Sequence, residues 1–467
     1  MATIHFIGIC GTAMATLAAM LKARGHDVQG SDHAMYPPMS DFLVAEHIRV
    51  FGSYDAAHIT PELDMVVVGN AISRGNPELE EVLDRKIRYM SLPETVREHF
   101  LWQSRSIVLS GTHGKTTTTA LTGWLLADAG NDPSVLIGGI ALNFKGSYRL
   151  GSGRDFVIEG DEYDSAFFDR TAKFLKYLPD IAVLGNLEYD HADIYPDMDA
   201  LRTAFRRFLS LVPRNGRVII GADSPEAMAL AGAARAPVET FGIDNPDATW
   251  RATGITAEDG RVRFDVWFGG EPFASFISPL HGHHNVRNAL AAIAAGHAAG
   301  LSAASMQRAL SRFEGVRRRL ELRGVVRDVS VYDDFAHHPT AILETLRAVR
   351  ASFPDRRVWA VFEPRSATSC RRVFQQDFVR AFAESSANEV IIAAVFRATL
   401  PDAERLQVGE LVHDVRSAGV HARELPDVTA IVETIAREAR SGDLVIIMSN
   451  GGFDGIHDRL LTALKPA

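Results

Sequence analysis

The residues with the clearest chemistry form a glycine-rich turn between a short apolar run, at 107–109, and a segment that can open a helix. The turn has the form Gly-x-x-Gly-Lys-Thr, whose glycines let backbone N–H groups approach an anion. Lys115 adds a positive charge, and the Thr116 hydroxyl can bind Mg²⁺. The usual phosphate-binding loop carries another glycine where this chain has Leu109. The segment therefore predicts a phosphate cradle, and a turn that binds no phosphate is the alternative. The residues assigned to the cradle are Gly111, Thr112, His113, Gly114, Lys115, Thr116 and Thr117.

Acidic residues and a histidine follow two other apolar runs. Glu159 ends one run and precedes three more carboxylates, and His191 follows Glu188 and Asp190 after the next run. MgATP needs oxygen or imidazole ligands near its β- and γ-phosphates, so Thr116, Glu159 and His191 are candidate metal ligands. An acidic run alone is more often a solvated loop. The histidines lack the spacing of a zinc site, so a zinc site is disfavoured.

A second glycine turn, Gly8-Ile-Cys10-Gly11, follows the first apolar run of the chain, and Asp32 lies at a distance suited to a ribose contact. The dinucleotide fingerprint is broken, because glycines are missing at Cys10 and Ala13. A nicotinamide cofactor, another diphosphate and a turn without a ligand all remain compatible with the pattern.

Strand, glycine turn and helix alternate along most of the chain, which is typical of α/β nucleotide-binding units. Changes in this pattern divide the chain into three predicted domains, at 1–105, 106–316 and 317–467. In the third domain, apolar runs repeatedly end in polar or glycine-rich residues. Ligands of open parallel sheets bind beyond such strand ends.

Composition excludes several classes of protein. The 467 residues carry a formal net charge of −9, which argues against a general nucleic-acid binder. No apolar run approaches the roughly 20 residues that span a bilayer, and the first residues read as a strand rather than a signal peptide. Two cysteines provide no disulfide framework. We expect a cytoplasmic enzyme that binds small molecules, with neither a nucleic acid nor a membrane as partner.

Five motifs in order resemble the Mur ligases, ATP-dependent amide-forming enzymes of peptidoglycan synthesis. The cradle is similar to that family's shortened phosphate loop, which accounts for Leu109. The resemblance implies a Mg²⁺ ligand at Glu159 and a histidine for a second metal at His191. It also implies nucleotide contacts from Asn288 and, from the third domain, Arg319 and Asp334. The implied fold is a central P-loop ATPase domain between two Rossmann-like domains. No counterpart is evident for the lysine that several sister enzymes carbamylate.

Other segments resemble the branch of the family that acts on UDP-N-acetylmuramate, whose first domain holds the UDP group. Members of this branch add either L-alanine or the tripeptide L-alanyl-γ-D-glutamyl-meso-diaminopimelate. The segments at 36–40 (YPPMS), 69–77, 162–169, 363–366 and 449–457 resemble the tripeptide-adding members, and addition of L-alanine is the alternative. The residues that we assign to substrates are Gly8, Cys10, Gly11, Ser31, Asp32, Asn70, Arg365 and Ser366.

The resemblance implies a reaction through an acyl phosphate. ATP phosphorylates the lactyl carboxylate of the sugar nucleotide, and the peptide amine then attacks the acyl phosphate. The implied catalytic residues are Lys115, Glu159, His191, Asn288, Arg319 and Asp334. A nucleotide-driven switch that hydrolyses ATP without forming a bond is the alternative from another class.

Overall fold

The computed structural model describes residues 1–33, 35, 39–191, 194–258, 260–396 and 400–465. Tyr36, Pro37 and Pro38 of the YPPMS segment lie outside the described residues. Two compact units are formed, one by 1–187, 198–250 and 291–309 and the other by 188–197, 251–290 and 310–467. The three-domain division at 105 and 316 remains a prediction.

The first unit begins with a parallel five-stranded sheet in the order β3-β2-β1-β4-β5. Because the chain leaves β1 toward β2 and later returns beside it as β4, the carboxyl end of β1 is a topological switch point. Loops Gly8–Gly11 and Gly69–Asn70 follow β1 and β4 there. The elements are β1 (Thr3–Ile7), α1 (Thr12–Ala23), β2 (Asp27–Ser31), α2 (Met39–Ala45), β3 (Arg49–Phe51), β4 (Met65–Val68), α3 (Pro77–Asp84), β5 (Tyr89–Ser91) and α4 (Leu92–Val96).

Within the same unit, strands of a second sheet follow one another in the order β14-β13-β12-β6-β9-β7-β8, parallel except for the β7–β8 pair. Its central strands are apolar on both faces, as buried parallel strands are. The elements are β6 (Arg105–Ser110), α5 (Lys115–Asp128), β7 (Ser134–Ala141), β8 (Gly146–Arg149), β9 (Asp155–Gly160), the hairpin β10 (Asp164–Ala166) and β11 (Asp169–Ala172), β12 (Pro179–Leu184), α6 (Met198–Ser210), β13 (Arg217–Gly221), α7 (Pro225–Met228) and β14 (Val238–Gly242).

The second unit contains a six-stranded sheet in the order β18-β19-β23-β20-β21-β22, parallel except for β18–β19. Alternate residues of β20 enter different cores: Val358, Ala360 and Phe362 on one face, Trp359 and Val361 on the other. The division between the units falls after residues 250, 290 and 309, and so within β15 (Trp250–Glu258), α8 (His283–Ala298) and α9 (Ala303–Ser311). The elements are β15 (Trp250–Glu258), β16 (Arg261–Phe268), β17 (Glu271–Ser278), α8 (His283–Ala298), α9 (Ala303–Ser311), β18 (Glu321–Val326), β19 (Val329–Asp334), α10 (Pro339–Ser352), β20 (Val358–Phe362), α11 (Gln375–Glu384), β21 (Glu389–Ala393), α12 (Val408–Ser417), β22 (His421–Leu425), α13 (Val428–Glu438), β23 (Leu444–Met448) and α14 (Ile456–Ala463).

Strands β15, β16 and β17 were not anticipated, because sequence reasoning used no strand signal in residues 250–278. Within the described part of the chain, no helix combines the length and the apolar character needed to cross a membrane.

Candidate functional site

The predicted phosphate cradle forms the turn between β6 and α5. Gly111 has φ 136° and Gly114 has φ 80°, both conformations that favour glycine. A Cβ at Gly111 would lie 3.0 Å from the backbone oxygen of Asn186, so a larger residue does not fit. Gly114 is the residue that caps the N-terminus of α5. The helix therefore directs its unpaired N–H groups, and the positive end of its dipole, at the turn.

Asn186, which follows β12, fixes the cradle from the side. Its backbone oxygen accepts the N–H of Thr112 at 3.1 Å. Its side-chain oxygen accepts the N–H of His113 at 2.9 Å, and its amide donates to the His113 carbonyl at 3.2 Å. These bonds pre-order the turn, which lowers the cost of forming an anion site. Sequence reasoning assigned no role to Asn186.

Lys115 lies within the turn and is bonded to its own loop. Its Nζ donates to the Gly111 carbonyl at 2.8 Å and to Glu162 Oε1 at 2.8 Å. Burial alone would lower the pKa of Lys115, but Glu162 and Asp161 outweigh it and raise the pKa above its usual value. The ammonium therefore stays charged at any physiological pH. Glu162 is 2% exposed, and this ion pair was missed by the sequence reasoning.

Thr116 and Glu159, two of the predicted metal ligands, lie together. The Thr116 hydroxyl donates to Glu159 Oε1 at 3.0 Å, and the N–H of Gly138 donates to Oε2 at 2.8 Å. Burial raises the pKa of Glu159, and Asp161 raises it further, whereas Lys115 works in the opposite direction. A carboxylate and a hydroxyl are hard oxygen donors, the ligand type that Mg²⁺ prefers. Thr116 and Glu159 therefore fit two of the ligand positions of a magnesium site.

The threonines at the start of α5 differ in the groups that accept their hydroxyl hydrogen bonds. Thr118 and Thr119 donate their hydroxyls to the carbonyls of Gly114 and Lys115, at 2.9 and 2.8 Å. Such bonds to the preceding turn are ordinary for threonine in a helix. Thr116 instead turns its hydroxyl toward Glu159, which sets it apart chemically from its neighbours. Thr117 is buried.

The first glycine turn is held to the end of β2. The Gly8 N–H donates to the Ser31 carbonyl at 2.9 Å, and the Cys10 N–H donates to Asp32 Oδ2 at 2.9 Å. Gly8 has φ 85°, and Gly11 caps the N-terminus of α1. Burial and the charge of Asp32 raise the pKa of the Cys10 thiol to about 11, so the thiol is protonated at neutral pH. Cys10 therefore contributes its backbone and the volume of its side chain to this turn, and not a reactive thiolate.

Two further predicted substrate residues differ in their surroundings. Ser31 is fully buried, and its hydroxyl donates to Glu78, a residue that sequence reasoning did not consider. Asn70 is exposed in the turn after β4. Their contacts with a substrate remain predictions.

His191 belongs to the second unit, in a short segment, 188–191, that is bonded to residues of the C-terminal part of the chain. The hydroxyl of Thr340 donates to Glu188 Oε2 at 2.7 Å, and the hydroxyl of Thr368 donates to Asp190. His191 itself has φ 56°, a left-handed conformation. Burial opposes ionisation of Asp190, but three histidines (His191, His337 and His338) hold its pKa well below the usual range.

Asp334, at the end of β19, has both carboxylate oxygens bonded to backbone. Oδ2 accepts the N–H of Leu320 at 2.7 Å, and Oδ1 accepts the N–H of Ala336 at 2.8 Å. Burial raises the pKa of Asp334, while Arg319 lowers it. Arg319 lies between two residues with positive φ, Arg318 and Leu320, and its guanidinium is 5.0 Å from the Phe335 ring centroid. The carboxylate thus shapes the turn that presents Arg319.

Asn288 lies on α8, one turn from Asn285. Its amide donates to Asn285 Oδ1 at 3.1 Å, and the Asn285 amide donates to the His281 carbonyl at 2.8 Å. Asn285 therefore links Asn288 to the His281 carbonyl, which fixes the orientation of the Asn288 side chain. Its contact with a nucleotide remains a prediction.

Arg365, beyond the end of β20, lies over the Phe396 ring at 3.7 Å from the centroid. Its Nη1 is 3.4 Å from Glu363 Oε1, so Arg365 forms a long ion pair with Glu363. The Arg365 side chain is 31% exposed, so the guanidinium can reach a further anion. Ser366 is buried and exchanges hydrogen bonds with Ser369 at the start of the same loop.

Comparison with known proteins covers nearly the whole chain. The model of the Mur ligase family catalytic domain matches 3–101, that of the Mur ligase middle domain matches 109–296, and that of the glutamate ligase domain of Mur ligases matches 318–451.

Relatives with a related activity align from end to end. The chain is 39% identical over 464 residues to the UDP-N-acetylmuramate–L-alanyl-γ-D-glutamyl-meso-2,6-diaminoheptandioate ligase of Escherichia coli strain K12, covering 99% of this chain and 98% of the relative. It is 34% identical over 450 residues to the UDP-N-acetylmuramate–L-alanine ligase of Acetivibrio thermocellus, covering 96% and 93%. The solved murein peptide ligase of Psychrobacter arcticus has 38% identity and a TM-score of 0.73, covering 100% of this chain and 99% of that one. The chain belongs to the Mur ligase family.

Proposed function

We propose that this protein joins the tripeptide L-alanyl-γ-D-glutamyl-meso-diaminopimelate to UDP-N-acetylmuramate, with hydrolysis of ATP to ADP and phosphate, in cell-wall peptide recycling. The observation that carries the proposal is the 39% identity over 99% of the chain to a relative named for that activity. The ordered phosphate turn with a charged Lys115 supports ATP as the energy source. Because the reaction consumes ATP, we expect it in the cytoplasm.

Lys115 and the N-terminus of α5 would bind the β- and γ-phosphates. The ammonium, held charged by Glu162 and Asp161, offsets negative charge that spreads over the transferring phosphoryl group. The loop is already ordered by Asn186, so little reorganisation accompanies binding. The product of this step is an acyl phosphate on the lactyl carboxylate.

Thr116 and Glu159 would hold Mg²⁺, with His191 as the proposed ligand of a second ion. Bound magnesium would neutralise phosphate charge and orient the nucleotide. The carboxylate of Glu159 accepts two hydrogen bonds, from Thr116 and from the Gly138 backbone, so its orientation is fixed before a metal binds. Glu159 must be ionised for this role.

The peptide amine would then attack the acyl phosphate and release phosphate. Arg365 would pair with a distal carboxylate of the tripeptide, a group that L-alanine lacks. Stacking on Phe396 restricts the rotation of the guanidinium, which lowers the entropy lost on binding. Arg319 and Asn288 would contact the nucleotide, and Asp334 would shape the turn that carries Arg319. We also propose that residues 1–105, 106–316 and 317–467 act as sugar-nucleotide, ATP and peptide domains.

Addition of free L-alanine is the second candidate, favoured by the 34% identity to L-alanine ligases. The deciding experiment is mass spectrometry of products after incubation with ATP, Mg²⁺, UDP-N-acetylmuramate and either L-alanine or the tripeptide. We expect the tripeptide product in the second mixture and little product in the first. Faster turnover of L-alanine would refute the proposed substrate. ADP release without an amine and a sugar nucleotide would refute a ligase altogether.

A further inference from the structure

A buried carboxylate, Glu78, lies at the start of α3. Glu78 has no exposed surface and accepts hydrogen bonds from four residues of other elements. Its Oε2 accepts the Ser31 hydroxyl and lies 3.2 Å from His5 Nε2. Its Oε1 lies 2.7 Å from His58 Nδ1 and 3.3 Å from the backbone nitrogen of Asp55. Glu78 thus connects β1, the end of β2 and the turn at 55–58.

The hydrogen bonds keep Glu78 ionised. Burial works against the charged form, but the bonds from His5, Ser31 and His58 outweigh it and lower the pKa of Glu78 below its usual value. Among the residues that the structure describes, the basic side chains within ion-pair distance of Glu78 are His5 and His58, and neither a lysine nor an arginine pairs with it. Well-packed apolar side chains can often replace such a buried ionic group without loss of stability. An ionised group here therefore indicates a positional role.

The partners of Glu78 lead directly to the predicted sugar-nucleotide site. Ser31 precedes Asp32, whose Oδ2 accepts the Cys10 N–H at 2.9 Å. Tyr54, next to the turn that Glu78 holds, places its hydroxyl 3.4 Å from Asp32 Oδ1. Glu78 is therefore linked to Asp32 by two routes: through Ser31 at the end of β2, and through the turn at 55–58, which Tyr54 precedes.

We propose that Glu78 is a positioning residue for the sugar nucleotide: it fixes Ser31 and the 55–58 turn so that Asp32 and the glycine turn keep the shape that binds the UDP group. This inference rests on the proposed function, which makes UDP-N-acetylmuramate the ligand of the first sheet. It assigns a role in the binding of one substrate to a residue that need not touch that substrate.

The test is the isosteric substitution Glu78→Gln, which removes the charge and one acceptor oxygen. We expect KM and the calorimetric Kd for UDP-N-acetylmuramate to rise about tenfold to hundredfold, because displacements near 1 Å can have effects of that size. KM for ATP and for the tripeptide should stay within about twofold. Glu80→Gln is the matched control, since Glu80 lies on the same helix and pairs with Arg74 at the surface. The control should leave every KM unchanged.

His58 offers a second test that does not depend on the folding of Glu78→Gln. His58→Ala should raise KM for the sugar nucleotide alone, and His58→Asn, which restores an N–H donor near the position of Nδ1, should recover part of the loss. An unchanged KM for the sugar nucleotide in both Glu78→Gln and His58→Ala, or an equal rise for all three substrates, would overturn the inference. A wild-type protein that forms no product would instead refute the proposed function, so the two failures are distinguishable.

Discussion

Replacement of Lys115 by methionine is expected to abolish most phosphoryl transfer while leaving the binding of UDP-N-acetylmuramate intact. Methionine keeps most of the length of the lysine stem and removes only the ammonium. In the structure that ammonium bonds to the Gly111 carbonyl and to Glu162, both at 2.8 Å. The predicted sugar-nucleotide residues lie on another sheet of the first unit.

The size of the effect follows from the burial of the charge. The Lys115 side chain is 13% exposed, so the surroundings are far less polar than water. Two unit charges 4 Å apart interact by about 4 kcal/mol at an effective dielectric constant of 20. Loss of one fixed positive group from a transition state costs about 10² to 10³ in rate in comparable sites. We therefore expect kcat to fall by a factor on the order of 10² to 10³.

The assay measures ADP release in the presence of all three substrates, with the affinity for UDP-N-acetylmuramate determined by calorimetry. Lys173→Met is the matched control. The Lys173 side chain is 14% exposed, and its Nζ lies 2.6 Å from Asp161 Oδ2, next in sequence to the Glu162 that bonds Lys115. Lys173→Met therefore also removes a buried ammonium from this acidic segment. The control should keep kcat within about tenfold, because Lys173 lies outside the phosphate turn.

Two results would refute this reasoning. A kcat for Lys115→Met within tenfold of wild type would mean that the ammonium does not act on the transferring group. Loss of affinity for UDP-N-acetylmuramate in the same variant would mean that the two binding sites are not independent.

Three further predictions concern the peptide, the thiol and the segment of His191. Arg365→Ala should raise KM for the tripeptide by the equivalent of about 2 to 3 kcal/mol. Gly451→Ala should raise it less, because a Cβ there would lie 2.1 Å from Arg365 Nε and force that flexible side chain to shift. An unchanged KM in Arg365→Ala contradicts the role of Arg365. The rate at which iodoacetamide alkylates Cys10 should rise about tenfold per pH unit, because only the thiolate reacts, and should level off only as the pH approaches the pKa of about 11. A rate, measured by mass spectrometry, that already levels off near pH 8.5 contradicts the raised pKa. Thr368→Val should lower kcat/KM about tenfold, because it removes the hydroxyl that donates to Asp190. Thr368→Ser keeps a hydroxyl and should have a kcat/KM near that of the wild type. Equal kcat/KM in the wild type and both variants would show that this hydrogen bond is dispensable.

Sequence reasoning located the phosphate turn because its signal is local. Two glycines, a lysine and a threonine within seven residues are set by the backbone geometry of one turn, and the structure has Gly111 and Gly114 at positive φ. The pairing of Thr116 with Glu159 could also be predicted. Thr116 follows β6, Glu159 lies at the end of β9, and β6 and β9 are adjacent parallel strands. Ends of neighbouring parallel strands meet at one edge of a sheet.

Contacts between distant segments could not be predicted in the same way. Glu78 and His5 are 73 residues apart, and Glu78 lies in a helix start that resembles any acidic first turn. Only the packing of α3 against β1 and β4, through Leu79 and Val82, turns this residue inward. Strands β15, β16 and β17 were missed for a different reason. Residues 261–266 alternate polar side chains with Val262, Phe264 and Val266, which are buried, but sequence reasoning did not use this alternation as a strand signal. The role of Arg365 in the choice of peptide remains a prediction.

The hydrogen bonds of Asp334 affect how its mutants should be interpreted. A substitution such as Asp334→Asn would release the N–H of Leu320 or Ala336 and so loosen the turn that carries Arg319. A fall in ATP affinity in that variant would not by itself demonstrate direct contact between the carboxylate and the nucleotide. Hydrogen–deuterium exchange separates the two cases, because an amide bonded to a buried carboxylate exchanges only after local opening. Rapid exchange at 320 and 336 in the variant would assign the lost affinity to local unfolding of the turn.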